Sequence, residues 1–172
     1  TTITEVRADG FTITSEFDGV TVTQNWACGE DGLSALEYGG GPAGYLESEG
    51  VGATFETTDV NGLTVPVSIS AGDTWTQSFD VTITRSVPGL GEAVSTGTAI
   101  ATFEALGMES VTVPAGTFDA MKVATTNDLD FVMTVEDIEL PFSFIATGSR
   151  WYAEGVGWVK SEDTNEIFDS LT

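Results

Sequence analysis

Apolar and polar residues alternate with a period of two over most of this chain. Phe11–Phe17 and Val20–Trp26 both alternate, and the Asp18-Gly19 pair between them is typical of a two-residue β-hairpin link. The clearest alternation runs from Trp75 to Arg85 and predicts one inward and one outward face. Its inward side chains are predicted to be Trp75, Phe79, Val81 and Ile83.

Shorter patterns of the same kind predict further strands. They span residues 33–38, 51–57, 63–69, 94–106, 111–114, 117–126, 129–135, 140–151, 157–161 and 167–171. Asn61-Gly62 and Pro114-Ala115-Gly116 are predicted turns, and Gly39–Gly44 is a predicted loop. Gly97, inside a predicted strand, indicates a bulge or a close approach of another strand.

The pattern therefore predicts an all-β fold with little or no helix. Many strands with short links favour one strongly curved antiparallel sheet, a half-barrel or barrel, with a sandwich as the alternative. A length of 172 residues fits one domain, assigned to residues 10–172. Residues 1–9 form a β-prone segment that can pair with its own sheet or with a neighbour's edge, where Ile3 and Val6 would anchor it.

Charge narrows the classes of function. The chain has 27 Asp and Glu against five Lys and Arg, a formal net charge of −22, and no histidine. Most serine-, cysteine- and zinc-based chemistries depend on an imidazole as base or ligand, so those mechanisms are excluded here. Nucleic acid is not an expected partner, because phosphate binding needs clustered Lys and Arg. A single-signed surface is tolerated where salt screens it, which favours a secreted or cell-surface location. The sequence contains no run of about 20 apolar residues, so no transmembrane segment is predicted.

Asp and Glu residues occur in short clusters along the sequence, and such clusters could bind a cation. Calcium prefers several oxygen ligands from loops and strand ends, although no EF-hand-like loop is present. The alternative is a solvated acidic surface, and no other cofactor is expected. The candidate calcium ligands are Asp128, Asp130, Asp137 and Glu139.

Cys28 is the only cysteine, so no disulfide can form within the chain. Its place after Trp26-Ala27 favours a small, buried apolar side chain. An intermolecular disulfide or a reactive thiol is the alternative.

Two segments resemble a known family. Residues 113–123 read V-P-A-G-T-F-D-A-M-K-V, and residues 151–160 read W-Y-A-E-G-V-G-W-V-K. Together they resemble the signature of exported bacterial proteins labelled TapB-like or as a domain of unknown function, with Glu154 where that family has proline. That family occurs in lipoproteins and cell-surface proteins, so the resemblance implies an exported location. It also implies a curved sheet similar to the lipoprotein-carrier half-barrel, and it transfers no catalytic residue.

Three functions follow as hypotheses. The first is a non-catalytic cell-surface module with a structural, assembly or adhesion role, which self-associates through sheet edges or joins copies into a filament by strand addition. The second is a carrier that holds a lipid or another hydrophobic ligand on the concave face of the sheet. The third is a hydrolase with paired carboxylates, although an enzyme is not expected. The candidate residues of the concave face are Phe79, Phe103, Met121, Phe131, Met133, Phe142 and Phe144.

Overall fold

A computed structural model describes residues 2–17, 20–38, 53–87, 89, 91–135 and 138–164. These residues form β-strands joined by turns and short links, without a helix, so the predicted all-β class is confirmed. The part of the chain described contains no helix that is long and apolar enough to span a membrane. The strands are β1 (Thr2–Arg7), β2 (Gly10–Phe17), β3 (Val20–Cys28), β4 (Gly32–Ala35), β5 (Ala53–Gly62), β6 (Val65–Pro66), β7 (Thr74–Val87), β8 (Gly91–Val113), β9 (Gly116–Val135), β10 (Ile138–Ala153) and β11 (Gly157–Thr164).

The strands form two antiparallel sheets. The first sheet has the order β1-β2-β3-β4-β6, and the second has the order β11-β10-β9-β8-β7-β5. Strand β11 comes into contact with β8 although β9 and β10 lie between them in the sheet. The second sheet is therefore strongly curled, as the half-barrel prediction requires, and the first sheet packs against it.

Two local predictions are confirmed by the register. Phe17 lies opposite Val20, so the strands on either side of the predicted hairpin link do pair. In β7, Phe79 and Val81 are buried while Asp80 is exposed, as the alternation predicts. This agreement follows from the period of two, which places successive side chains on opposite faces of a sheet.

Several predicted breaks are wrong. Asn61-Gly62 does not turn the chain but continues β5, opposite Ser78 and Gln77 of β7. Strand β6 therefore keeps only Val65–Pro66 of the predicted strand 63–69. Residues 107–110, predicted to separate two strands, continue β8 after a bulge between Ala105 and Gly107, and the gap predicted at 127–128 lies inside β9. In each case the ladder with the neighbouring strand outweighs the local turn preference.

Other expectations have mixed outcomes. The turn at Pro114-Ala115 is confirmed between β8 and β9. The strand predicted at 33–38 ends at Ala35, and Cys28 is exposed rather than buried, because it is the last residue of β3 and the chain leaves the sheet there. The predicted loop at residues 39–44 and the predicted strand at 167–171 lie outside the described residues.

The main core joins the two sheets. Side chains of β2, β3 and β4 pack on side chains of β7, β8 and β9. The face of the second sheet that meets this core is called the inner face below, and the opposite face is called the outer face. The buried members of the main core are Ile13, Trp26, Ala35, Phe79, Val81, Ala99, Leu129 and Phe131.

Candidate ligand-binding face

All seven residues proposed for a concave face lie on the inner face of the second sheet. The register places them there, because residues directly opposite each other in neighbouring strands share a face. Four of the seven are ordinary core with at most 9% of their surface exposed, namely Phe79, Phe103, Met121 and Phe131. Met133, Phe142 and Phe144, by contrast, stay partly or largely accessible.

An apolar strip extends from the core along β10. Ile138, Leu140 and Phe142, here called the β10 strip, point to the inner face and are 61%, 47% and 40% exposed. Phe142 stacks on the buried Phe131, with ring centroids 5.6 Å apart, and on Phe144 at 6.5 Å. The strip is therefore an open continuation of the core rather than a set of isolated surface residues.

The topology explains why the β10 strip is uncovered. Strand β11 pairs with β10 only from Thr147 to Ala153. The main core, in turn, takes its buried residues from β2, β3, β4, β7, β8 and β9, and none from β10. In the described part of the chain, residues 138–146 of β10 thus have a paired strand, β9, on one side only.

Gly97 leaves room for the Phe131 ring, on which Phe142 of the strip stacks. It lies opposite Phe131, and a Cβ atom built on it would come within 2.0 Å of the Asp130 carbonyl oxygen and 2.7 Å of Phe131 Cδ1. The predicted close approach at this glycine is therefore confirmed, since only a residue without a side chain leaves room for the Phe131 ring.

Arg85 shares the inner face with the β10 strip. Residues directly opposite each other in neighbouring strands form a row across the sheet, and the row of Arg85 continues through Ala93 and Val135 to Ile138. Arg85 Nη2 donates to Met133 Sδ at 3.1 Å, so the side chain reaches from β7 across β8 to β9. It crosses β8 where the strand carries only the small, buried residues Ala93 and Ser95.

The guanidinium of Arg85 lacks a carboxylate partner among the residues described. Its Nε is buried without a hydrogen-bond acceptor, and the thioether of Met133 is a weak acceptor. Other cations are paired: Arg7, Lys122 and Lys160 lie 3.4, 3.8 and 2.5 Å from the carboxylates of Glu5, Glu109 and Glu162. An unpaired buried donor is costly, so Arg85 calls for a functional explanation.

Sequence reasoning missed Arg85 as a site residue. The signal was present, because the alternation that places Phe79, Val81 and Ile83 inward also places residue 85 inward. A charged residue at an inward position of an otherwise apolar strand face is unusual enough to single it out.

The two signature-like segments meet in a separate cluster on the outer face. Trp151 is only 2% exposed, and Lys122 Nζ and Lys160 Nζ lie 4.9 and 4.4 Å from its ring centroid. These are the only lysines of the chain. The Trp151 indole N–H donates to Glu109, which also pairs with Lys122. This arrangement buries the indole under two cations and is structural, since every charge in it has a partner.

The proposed calcium ligands do not converge. Asp128 and Asp130 lie on the outer face of β9, while Glu139 lies opposite Thr134, four residues beyond Asp130 and thus about 13 Å along the strand. Asp137 lies outside the described residues. No group of three or more potential metal-ligating side chains occurs in the described segments. Calcium binding therefore stays a prediction from the sequence.

Two surface depressions also lie along β9 and β10. They have volumes of about 380 and 410 Å³ and share Asp130 and Ser143. Asp130 belongs to the outer face, because its neighbours Leu129 and Phe131 are core residues of the inner face. The carboxylate of Asp130 thus lines both depressions, which makes them poor sites for an anionic ligand.

The N-terminal segment pairs within its own chain. Strand β1 lies antiparallel to β2 at the edge of the first sheet, with Ile3 opposite Ile13 and Val6 opposite Phe11. Ile3 and Val6 are nevertheless exposed, at 60% and 77%. Arg7 Nη1 donates to Thr12 Oγ1 at 2.7 Å and helps to hold β1 in place.

Comparison with known proteins gives one match. The model of a family described as DUF3108-like matches residues 48–167, which is more than half of the chain and includes every strand of the second sheet. No curated protein and no solved structure matches. The match agrees with the coarser part of the resemblance, to a domain of unknown function, while the TapB-like label has no counterpart in it.

Proposed function

The chain belongs to the DUF3108-like family, and we propose that it is a non-catalytic binding module which holds an apolar ligand against the β10 strip. The observation that carries this proposal is the exposure of Ile138, Leu140 and Phe142 on the same face as the core. Exposed apolar side chains that are continuous with a core mark binding surfaces more often than chance, because water contact with them is unfavourable.

The energetic argument is simple. Apolar area removed from water contributes about 25 cal/mol per Å². The aromatic pair Phe142 and Phe144 also presents ring faces and edges to a ligand, and it is held in place by the stack on Phe131. The support of the strip is thus formed before the ligand arrives, which lowers the entropy cost of binding.

The exported, cell-surface location and the finer TapB-like resemblance belong to the same proposal. A net charge of −22 is compatible with a saline exterior. A curved sheet with an apolar inner face is what a carrier of hydrophobic molecules needs.

A neutral environment-sensitive dye, Nile red, tests the proposal. The wild-type protein should enhance its fluorescence with saturable binding, and the double variant Leu140→Ser/Phe142→Ser should lose most of that signal. The matched control is Ile145→Ser, because Ile145 is a 57% exposed apolar residue on the outer face of the same strand. Equal binding by the double variant and the control would refute the proposal.

Assembly through β1 is a second candidate function. Its specific support is the position of β1 at a sheet edge with Ile3 and Val6 exposed, since edge strands offer unpaired backbone groups to another chain. Sedimentation velocity of the wild type and of Ile3→Lys/Val6→Lys tests it. The wild type should form concentration-dependent oligomers that the charged variant lacks, and a wild type that stays monomeric at high concentration would exclude this function.

A further inference from the structure

We infer that the ligand of the β10 strip is a single-chain amphiphile with a carboxylate head, and that Arg85 binds this head. The inference rests on the proposed function and adds the chemical class of the ligand. Arg85 and the strip are two features of the inner face that the fold leaves unexplained, and they lie next to each other.

The geometry places the charge beside Leu140, the middle residue of the strip. The Arg85 guanidinium ends beside Met133 of β9, and Leu140 is the residue directly opposite Met133 on β10. The guanidinium therefore lies about one strand spacing, roughly 5 Å, from the row of Leu140. From there Phe142 and Phe144 follow along β10 at intervals of about 7 Å. A carboxylate at Arg85 would direct its alkyl chain along these side chains.

The charge is complementary to an anionic head. The chain has 27 acidic residues, yet none of those described pairs with Arg85. A carboxylate can accept two parallel hydrogen bonds from a guanidinium, which would satisfy donors that the protein leaves open. Salt screening limits the reach of charges to about 8 Å at physiological ionic strength, so acidic residues farther from Arg85 than this contribute little at the site.

A carboxylate fits better than a phosphate monoester. One guanidinium balances one negative charge, whereas a phosphate monoester carries between about −1.5 and −2 at neutral pH. The excess charge would remain unpaired on an apolar face of a protein whose own net charge is −22. The structure therefore favours the singly charged head.

The test compares decanoate with decan-1-ol, which has the same chain length and no charge, by isothermal titration calorimetry on the full chain at pH 7. We expect wild-type protein to bind decanoate at least about 10-fold more tightly, the ratio that one charge-assisted hydrogen bond gives. Arg85→Gln should remove this preference without weakening the binding of decan-1-ol. Arg85→Lys should restore part of it, and the control Arg7→Gln should leave it unchanged.

Each outcome distinguishes this inference from the proposed function. If wild-type protein binds both compounds equally, the assignment of Arg85 is wrong while the apolar site stands. If it binds neither, both proposals fall. If decyl phosphate binds more tightly than decanoate, the choice of a carboxylate is overturned. Should Arg85→Gln fail to fold by circular dichroism, the wild-type ratio and its decrease in 1 M NaCl decide the question alone.

Discussion

Replacing Gly97 with alanine should destabilise the protein, because the added methyl group would collide with the neighbouring strand β9. The new Cβ would lie 2.0 Å from the Asp130 carbonyl oxygen and 2.8 Å from Phe131 Cα, so backbone and not a flexible side chain has to move. Overpacking of this kind costs about 1–3 kcal/mol, and a weakened ladder bond adds about 1 kcal/mol. We therefore expect a loss of about 2–4 kcal/mol.

Urea denaturation followed by circular dichroism measures this loss. Against a total stability of about 5–15 kcal/mol, the expected shift in Tm is roughly 5–15 °C for a chain of this size. Gly29→Ala is the matched control, because its Cβ would meet nothing closer than the Gly32 carbonyl oxygen at 3.6 Å. A Gly97→Ala variant within about 0.5 kcal/mol of Gly29→Ala would show that the β8–β9 contact described above is wrong.

Three further changes test other parts of the structure. Gln77→Ala should cost about 2–4 kcal/mol in urea denaturation, because the Gln77 amide, 1% exposed, donates to the Ala35 carbonyl at 3.0 Å and ties the two sheets together. Trp151→Phe should cost about 2 kcal/mol, since it removes the indole N–H that donates to Glu109. Burial raises the pKa of Tyr152 from 10 to about 12, against a smaller lowering by Arg150, so the free energy of unfolding should fall as pH rises between these values, and less so in Tyr152→Phe.

Controls keep these three measurements specific. Thr76→Ala is the matched control for the Gln77 variant, because Thr76 is the exposed neighbour on the same strand. A Gln77→Ala variant as stable as Thr76→Ala would contradict the link between the sheets. A Trp151→Phe variant as stable as wild type would contradict the role of the hydrogen bond to Glu109. Identical stability curves of wild type and Tyr152→Phe at alkaline pH would contradict the predicted effect of the Tyr152 hydroxyl.

The alternation of side chains was sufficient to predict the fold class and the strands from Phe11 to Trp26 and from Trp75 to Arg85. In these stretches the position of a residue along its own strand is enough to tell which face of the sheet it occupies. Asn61-Gly62 shows where this reasoning stops, because that pair is a strong turn signal that the ladder with β7 overrides. The continuity of β8 and β9 and the division into two sheets depend on such long-range pairing in the same way.

The candidate site was partly predictable for the same reason. Phe142 and Phe144 were assigned to the inner face from the sequence, but so was Phe103, which is simply core. Whether an inward residue is covered depends on which strands lie over it, and sequence periodicity carries no such information. The role of Arg85 depends on the reach of its side chain across β8 to Met133, which only the three-dimensional register shows.

The most direct measurement is an NMR experiment on the complex with ¹³C-labelled decan-1-ol, a ligand that does not depend on Arg85. Intermolecular nuclear Overhauser effects should connect the alkyl chain to the side chains of Ile138, Leu140 and Phe142, and none should reach Ile145 on the outer face. Contacts to Ile145 without contacts to the three strip residues would contradict the account.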